Sequence, residues 1–248
     1  MKQYEAVIFT LEKLGGVATL GQLNQEVFKI NDCIWKTKTP FASIRRIVQY
    51  DKNIYKIKPG LYALVSHRKE LENKGIIQET EKNKDSKAIK EFNHSYFQGL
   101  LLIIGKLKGF ETFVPNQDKN RSFVNEKLGD IRTLNELPLY THEVIVKKSS
   151  TIDVIWFNER KMPNSFFEVE HSTDIQSSLL KFNELQDFNS RMVIVADEKR
   201  ENEYLQKIKY TSFKELISPR KRVSFLGYES LNKQYESLIE SQNFKFIL

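Results

Sequence analysis

One cysteine, Cys33, stands in 248 residues. That excludes an internal disulfide and a zinc site built on thiolates. No apolar run approaches the ~20 residues that span a bilayer; the longest is Leu100–Gly105. The opening Met1-Lys2-Gln3-Tyr4-Glu5 lacks a secretory leader's apolar stretch and small-residue cleavage site. The four histidines (His67, His94, His142, His171) are scattered and show no metal-ligand spacing. These absences point to a reducing, cytoplasmic setting and away from a membrane partner. What remains is ordinary: 40% hydrophobic and 29% charged residues, a composition that fills a core and argues against wholesale disorder. The length allows one large domain or two small ones.

Charge is unevenly spread. Residues 1–90 carry 17 Lys+Arg against 10 Asp+Glu, whereas residues 91–248 carry 22 of each. The whole excess of +7 therefore sits in the first third. Such asymmetry suits a segment that meets a polyanion and a second segment with another task. The plainer reading is a lysine-rich solvated surface.

The pattern divides the chain into 1–65, 66–90 and 91–248. In the first part Tyr4–Leu14 is apolar at Val7, Ile8 and Leu11 and stops at Gly15-Gly16. Thr19-Leu20-Gly21-Gln22 has capping-box spacing. Thr39-Pro40 opens a third helix, Thr as N-cap and Pro where its missing N–H does no harm. Phe41, Ile44, Ile47 and Val48 share one face of it, with Arg45, Arg46 and Gln49 on the other. Pro59-Gly60 then turns a hairpin between 53–58 and 61–64. Helix, helix, capped helix and basic hairpin is the order of a winged helix-turn-helix. Residues 66–90 are charge-dense and without aromatics, as in a linker or a solvated helix.

The third part reads as a helix over Phe92–Leu107, a strand over Phe110–Val114, and strands over Thr141–Val146, Ile152–Phe157 and Ser165–Glu170. Then come a helix over Asp174–Phe188, a strand over Met192–Ala196, a helix over Glu201–Lys209, a strand over Val223–Leu226 and a last helix over Leu231–Glu240. Residues 115–137 are polar and give little signal; Ser122–Leu128 suggests a helix, and Glu126 is a possible accessory acid. The expected class is α/β (α+β), with helices on both faces of a mixed sheet.

Chemistry concentrates in Ile152-Asp153-Val154-Ile155-Trp156-Phe157 and Phe166-Phe167-Glu168-Val169-Glu170. Both runs are apolar enough for core strands, where acids need a reason. Alternation puts Glu168 and Glu170 on one face. A hairpin pairing Asp153 with Glu170 would bring all three carboxylates together, and a one-residue slip would part them. Crowded, half-buried carboxylates repel and lose hydration unless a pKa rises or a cation binds. Mg²⁺ favours such oxygen ligands, with Mn²⁺ as a substitute. The plainer reading places the acids on the solvent side of an edge strand. Lys181, after Leu179-Leu180, either reaches back toward the sheet as a cation beside the developing charge or is a surface lysine.

Asp153 on one strand and Glu168-Val169-Glu170 on the next resemble the catalytic core of the PD-(D/E)XK nuclease superfamily, to which many restriction endonucleases belong. The likeness covers about residues 91–200. It implies a restriction-endonuclease-like α/β/α fold with Asp153 and Glu168 as metal ligands. Glu170 stands where that core usually carries lysine. Either Glu170 poises the attacking water, or Lys181 supplies the missing cation. The first 65 residues resemble the HARE-HTH type of winged helix, through Thr39-Pro40, Ala42-Ser43-Ile44-Arg45-Arg46 and the run Ile54 to Leu64.

Together these readings imply an Mg²⁺-dependent endonuclease acting on double-stranded DNA. Ser43, Arg45, Arg46 and Gln49 would face base edges. Lys36, Lys38 and Thr39 before the third helix, and Lys56 and Lys58 on the wing, would set position on the phosphates. Lys56 and Lys58 lie two apart on a strand and are expected on one side. Cutting both strands needs two active sites, which implies a homodimer. The competing reading is a DNA-binding regulator with a degenerate nuclease domain; the missing motif lysine favours it. A docking module for other proteins is a third.

Overall fold

The computed structural model describes residues 1–84, 86–171, 174–218 and 221–244, with backbone alone at 243 and 244. The chain forms two compact units, Met1–Phe92 with Asn232–Leu248, and Asn93–Leu231.

In the first unit, α1 (Gln3–Lys13), β1 (Val17–Thr19), α2 (Leu20–Glu26) and α3 (Pro40–Tyr50) precede β2 (Ile54–Lys58), β3 (Leu61–Leu64) and α4 (Arg68–Asn73). The strands form an antiparallel sheet in the order β1-β3-β2. α1 ends at Gly15 and Gly16, both at positive φ; a side chain at Gly16 would also strike the His67 ring. The capping box forms as expected: Gln22 N–H donates to Thr19 Oγ1 at 3.1 Å, and Thr19 N–H donates to Gln22 Oε1 at 2.9 Å. Thr39 does not cap α3 with its side chain. Its backbone, at φ −129° and ψ 67°, lies off the extended geometry that a capping residue adopts. Val7, Leu11, Leu20, Leu23, Val27, Ile44, Val48 and Leu64 make one apolar core.

The charged stretch contains α4, knit by the i,i+4 pairs Arg68–Glu72 and Glu70–Lys74. α5 (Lys87–Leu107) then runs through the division between the units. After it come β4 (Glu111–Phe113), β5 (Ser122–Phe123), β6 (Glu126–Lys127), α6 (Leu128–Ile131) and α7 (Glu143–Ser149). β7 (Val154–Phe157), β8 (Pro163–Glu170), α8 (Ile175–Asn183), β9 (Arg191–Ala196), α9 (Glu201–Lys207), α10 (Lys214–Ile217) and β10 (Val223–Gly227) follow. α11 (Tyr228–Phe244) passes back into the first unit. The five-stranded sheet has the order β10-β9-β8-β7-β4. β8, β9 and β10 run parallel; β7 is antiparallel to both β4 and β8. The fold class is therefore α+β with a mixed sheet.

Alternation along the strands explains the layers. Ile155, Phe157, Phe166 and Ile194 join Ile175, Leu179 and Phe182 of α8 in one core. On the opposite face Trp156 Nε1–H donates to the Leu101 carbonyl of α5 at 3.0 Å. Gly105 of α5 permits that approach, because a Cβ there would lie 2.7 Å from the indole nitrogen.

Two segments differ from the sequence reading. Thr141–Val146 is not a strand; α7 covers Glu143–Ser149 instead. Both edges of β7 are already taken, by β4 and β8, so a further strand has no partner there. Glu143 in the first turn and Lys147 and Lys148 in the last suit the helix dipole. The suggested helix over Ser122–Leu128 is a small β5–β6 hairpin followed by one helical turn, with Val124 at positive φ. Among the described residues, no helix is long and apolar enough to cross a membrane.

Candidate metal centre

The site begins with register. Val154 lies opposite Phe167 and Ile155 opposite Phe166. Continuing that ladder sets Asp153 beside Glu168, not beside Glu170 as the sequence suggested. The difference is two residues, so strand parity survives. Asp153, however, precedes the first paired residue, and its carboxylate turns into the end of the sheet. Oδ2 accepts the Val169 N–H at 2.7 Å, and Oδ1 lies 3.4 Å from His94 Nε2. Its own N–H donates to Glu168 Oε1 at 3.3 Å.

Glu168 and Glu170 are alternate residues of the central strand β8, and both are buried. α8 supplies their partners. Ser178 Oγ–H reaches Glu168 Oε2 at 3.1 Å and also meets Glu170 Oε1. Lys181 donates to Glu168 Oε2 at 2.7 Å and to the Thr151 carbonyl at 3.2 Å. Ser178 and Lys181 are three apart, so they lie on one helix face. The structure thus links Asp153 and Lys181 to Glu168, and Glu170 to Glu168 through Ser178. Among the described residues, the three carboxylates that the sequence reading expected to converge do not form a group whose ligand atoms all lie within 4.8 Å of one another.

Electrostatics at this point are severe. Glu168 is 2% exposed. Burial, then the Asp153 charge, hold its pKa well above the ordinary carboxylate value, with Lys181 opposing them. Burial pulls the Lys181 ammonium down, yet Glu168 outweighs it and the net direction is up. Burial likewise presses His94 toward its neutral form, but the hydrogen bond and charge of Asp153, aided by Asp118, raise its pKa overall.

Three residues here carry no weight in the sequence reading: His94, Gln98 and Asp118. Gln98 Nε2–H donates to Asp118 Oδ2 at 3.1 Å and to the Asp153 carbonyl at 3.3 Å. Among the described residues, the trio whose ligand atoms lie within 4.8 Å of one another is His94, Asp118 and Asp153. His94 and Gln98 are four apart on α5, a spacing visible in the sequence once the helix is known. Asp118 lies in the turn after Pro115, within the polar stretch that gave no signal. Glu126 is exposed, on the β5–β6 hairpin.

The candidate DNA contacts lie in the first unit. Lys36, Lys38, Thr39, Arg46, Gln49 and Lys56 are exposed, and Ser43 is half-buried. Arg45 is ion-paired with Glu236 at 3.3 Å and Glu240 at 3.2 Å, both from the end of α11 that belongs to the same unit. Lys58 is buried with its ammonium over the Phe92 ring at 5.2 Å. A bulge between Lys56 and Lys58 separates the two lysines that simple alternation put on one side.

The fold is thus a mixed sheet with helices on both faces and acids buried where two neighbouring strands meet. Residues 73–247 match the family described as the type II restriction enzyme NmeDI C-terminal domain, and the chain belongs to that family. A curated relative is the type II restriction enzyme NmeDI of Neisseria meningitidis serogroup C, 29% identical over 156 residues. The match covers 59% of this chain and 43% of that protein, so the chain spans less than half the length of its relative. No solved structure matches the chain.

Proposed function

We propose that the chain is a restriction-type endonuclease that hydrolyses phosphodiester bonds of double-stranded DNA with Mg²⁺, Mn²⁺ substituting. The reading rests on one observation above all. In a chain of this family, Asp153 and Glu168 lie buried side by side at the ends of two paired strands, with Lys181 held on Glu168. This is the arrangement expected of a PD-(D/E)XK core within an α/β/α fold. The donor set suits a hard cation: adjacent carboxylates carry more negative charge than one lysine offsets, and Glu168 is strained toward protonation without a cation. Asp153 and Glu168 would hold the ion. When bound, Mg²⁺ lowers the pKa of water and stabilises charge developing on the phosphodiester. Lys181 keeps Glu168 oriented and brings a positive charge to the reacting centre. Ser178 holds Glu170 in place of the usual motif lysine.

In this reading the first unit is a winged helix that selects DNA. Arg46 and Gln49 lie exposed on α3 and Lys36, Lys38 and Lys56 flank it, which suits base and phosphate contacts respectively. Domain limits of 1–65 and 91–248, with a charged connection between, belong to the same reading. So do a homodimer and a cytoplasmic setting. The test is incubation of the purified chain with varied duplexes and Mg²⁺ beside Asp153→Ala and Glu168→Ala. Cleavage by the wild type and none by the variants is expected. Equal cleavage would remove both residues from the mechanism. A regulator with a degenerate nuclease domain would show no metal-dependent stabilisation and no cleavage.

A further inference from the structure

Asp153 has a second neighbourhood, away from Glu168, that the nuclease reading does not use. His94 Nδ1 lies 3.1 Å from the Val169 carbonyl. A carbonyl oxygen only accepts, so Nδ1 carries the hydrogen of that bond. Nε2 is then the nitrogen that bears the lone pair in the neutral ring, and it faces Asp153 Oδ1 across 3.4 Å. A proton on Nε2, which Asp153 favours, or a bound cation can join these two atoms. A backbone carbonyl on the far ring nitrogen is also how metal-bound histidines are commonly oriented.

The remaining walls agree. Asp118 is buried, and its carboxylate is held by Arg121 at 2.9 Å and by the Gln98 amide. Gln98 is fully buried. Both hydrogens of its amide are directed at Asp118 and the Asp153 carbonyl, while Oε1 has no partner among the described residues. Turning the amide over would set Oε1 against the Asp118 carboxylate, so the assignment is fixed by its surroundings. A buried amide oxygen without a partner, on the residue that holds both Asp118 and the Asp153 carbonyl, costs free energy. Two ligand atoms about 2.1 Å from one ion are at most ~4.2 Å apart, so the observed limit of 4.8 Å asks only a small contraction. His94 is partly exposed and gives an entry path.

We propose that His94, Asp118 and Asp153 form a binding site for one divalent transition cation, sharing Asp153 with the Asp153–Glu168 pair but not requiring Glu168. One imidazole nitrogen among oxygens favours Mn²⁺ or Zn²⁺ over Mg²⁺ and Ca²⁺. The site stands on this geometry whether or not the chain cleaves DNA.

The full chain, freed of metal, is titrated with MnCl₂ and followed by electron paramagnetic resonance. The wild type is expected to bind Mn²⁺ with hyperfine coupling to one imidazole nitrogen, and to retain that signal in excess Ca²⁺. His94→Gln should abolish the nitrogen coupling, and Asp118→Asn should weaken this binding by at least about tenfold. Glu168→Gln should leave the nitrogen-coupled ion in place. A wild type without nitrogen coupling overturns the proposal and needs no variant to fold. Binding unaltered in both His94→Gln and Asp118→Asn also overturns it. Coupling retained in a Glu168→Gln protein whose total Mn²⁺ stoichiometry matches the wild type counts instead against the Asp153–Glu168 ion, leaving this site standing.

Discussion

The two units treat buried charge in opposite ways. Among the described residues, the one buried Lys, Arg, Asp or Glu of the first unit is Lys58; those of the second are Asp118, Asp153, Glu168 and Glu170, all acids. The first unit otherwise has a conventional interior, with apolar faces of three helices closed over a small sheet. The second has an equally apolar core on the α8 face and concentrates its acids at the strand ends. Burying a charge is costly unless it is paired. A cluster of one sign, only partly offset by Lys181, His94 and Arg121, is therefore a cost in stability rather than a source of it. Binding potential is readable from where a fold accepts that cost.

The contrast breaks most visibly at Glu168. Glu168→Gln should reduce Mg²⁺-dependent cleavage on the order of 10³-fold, the scale of losing charge stabilisation at a reacting centre. The same variant should unfold at a higher temperature than the wild type in metal-free buffer at pH 8. Folded Glu168 keeps its proton to higher pH than the unfolded chain. Its contribution is thus present below the ordinary carboxylate range and is lost as pH rises through the raised value. Thermal melts across pH, with EDTA present, check this; an unchanged gap between variant and wild type contradicts the burial argument.

Ile44, fully buried on α3, tests the conventional side. Ile44→Ala should cost about 2–5 kcal/mol in denaturant unfolding, without altering Mn²⁺ binding by the second unit. Lys58 tests the exception. Burial lowers its pKa from 10.5 to about 7, so the unfolded chain binds the proton more readily than the folded one. Stability contributed here is complete above pH 10.5 and is lost as pH falls toward 7. Lys58→Met should therefore raise the melting temperature by a few degrees at pH 7 and below, and the gain should fade toward pH 10.5. The smallest effect belongs to Arg45. Its pairs with Glu236 and Glu240 are 41% exposed on the arginine side, so Arg45→Ala should cost at most ~1 kcal/mol of stability. Arg46→Ala should instead weaken duplex binding by about 1–3 kcal/mol, measured at one fixed salt concentration.

Much of this arrangement was legible in the sequence. The helix periods, the Gly15-Gly16 stop, the Thr19 capping box and the two acid-bearing strands all follow from local patterns that the tertiary structure left alone. The β7–β8 register escaped by two residues, because parity constrains which face a side chain takes but not which residue it meets. Thr141–Val146 carries β-branched residues and reads as a strand, yet the sheet offered it no free edge. His94 and Asp118 were missed for a different reason. They lie 24 residues apart in the numbering, and only the packing of α5 beside the end of β8 joins them. Asp118 in particular is held by a turn whose polar sequence has no period to read.

α5 and α11 each cross the division without a break, so the chain passes between the units twice. The stretch shared with the restriction-enzyme family, 73–247, thus includes a strip that folds with the N-terminal body. Exchanging the first unit by recombination would need two splice points rather than one, and a cassette cut at residue 92 would leave Arg45 and Thr19 without Glu236, Glu240 and Tyr235.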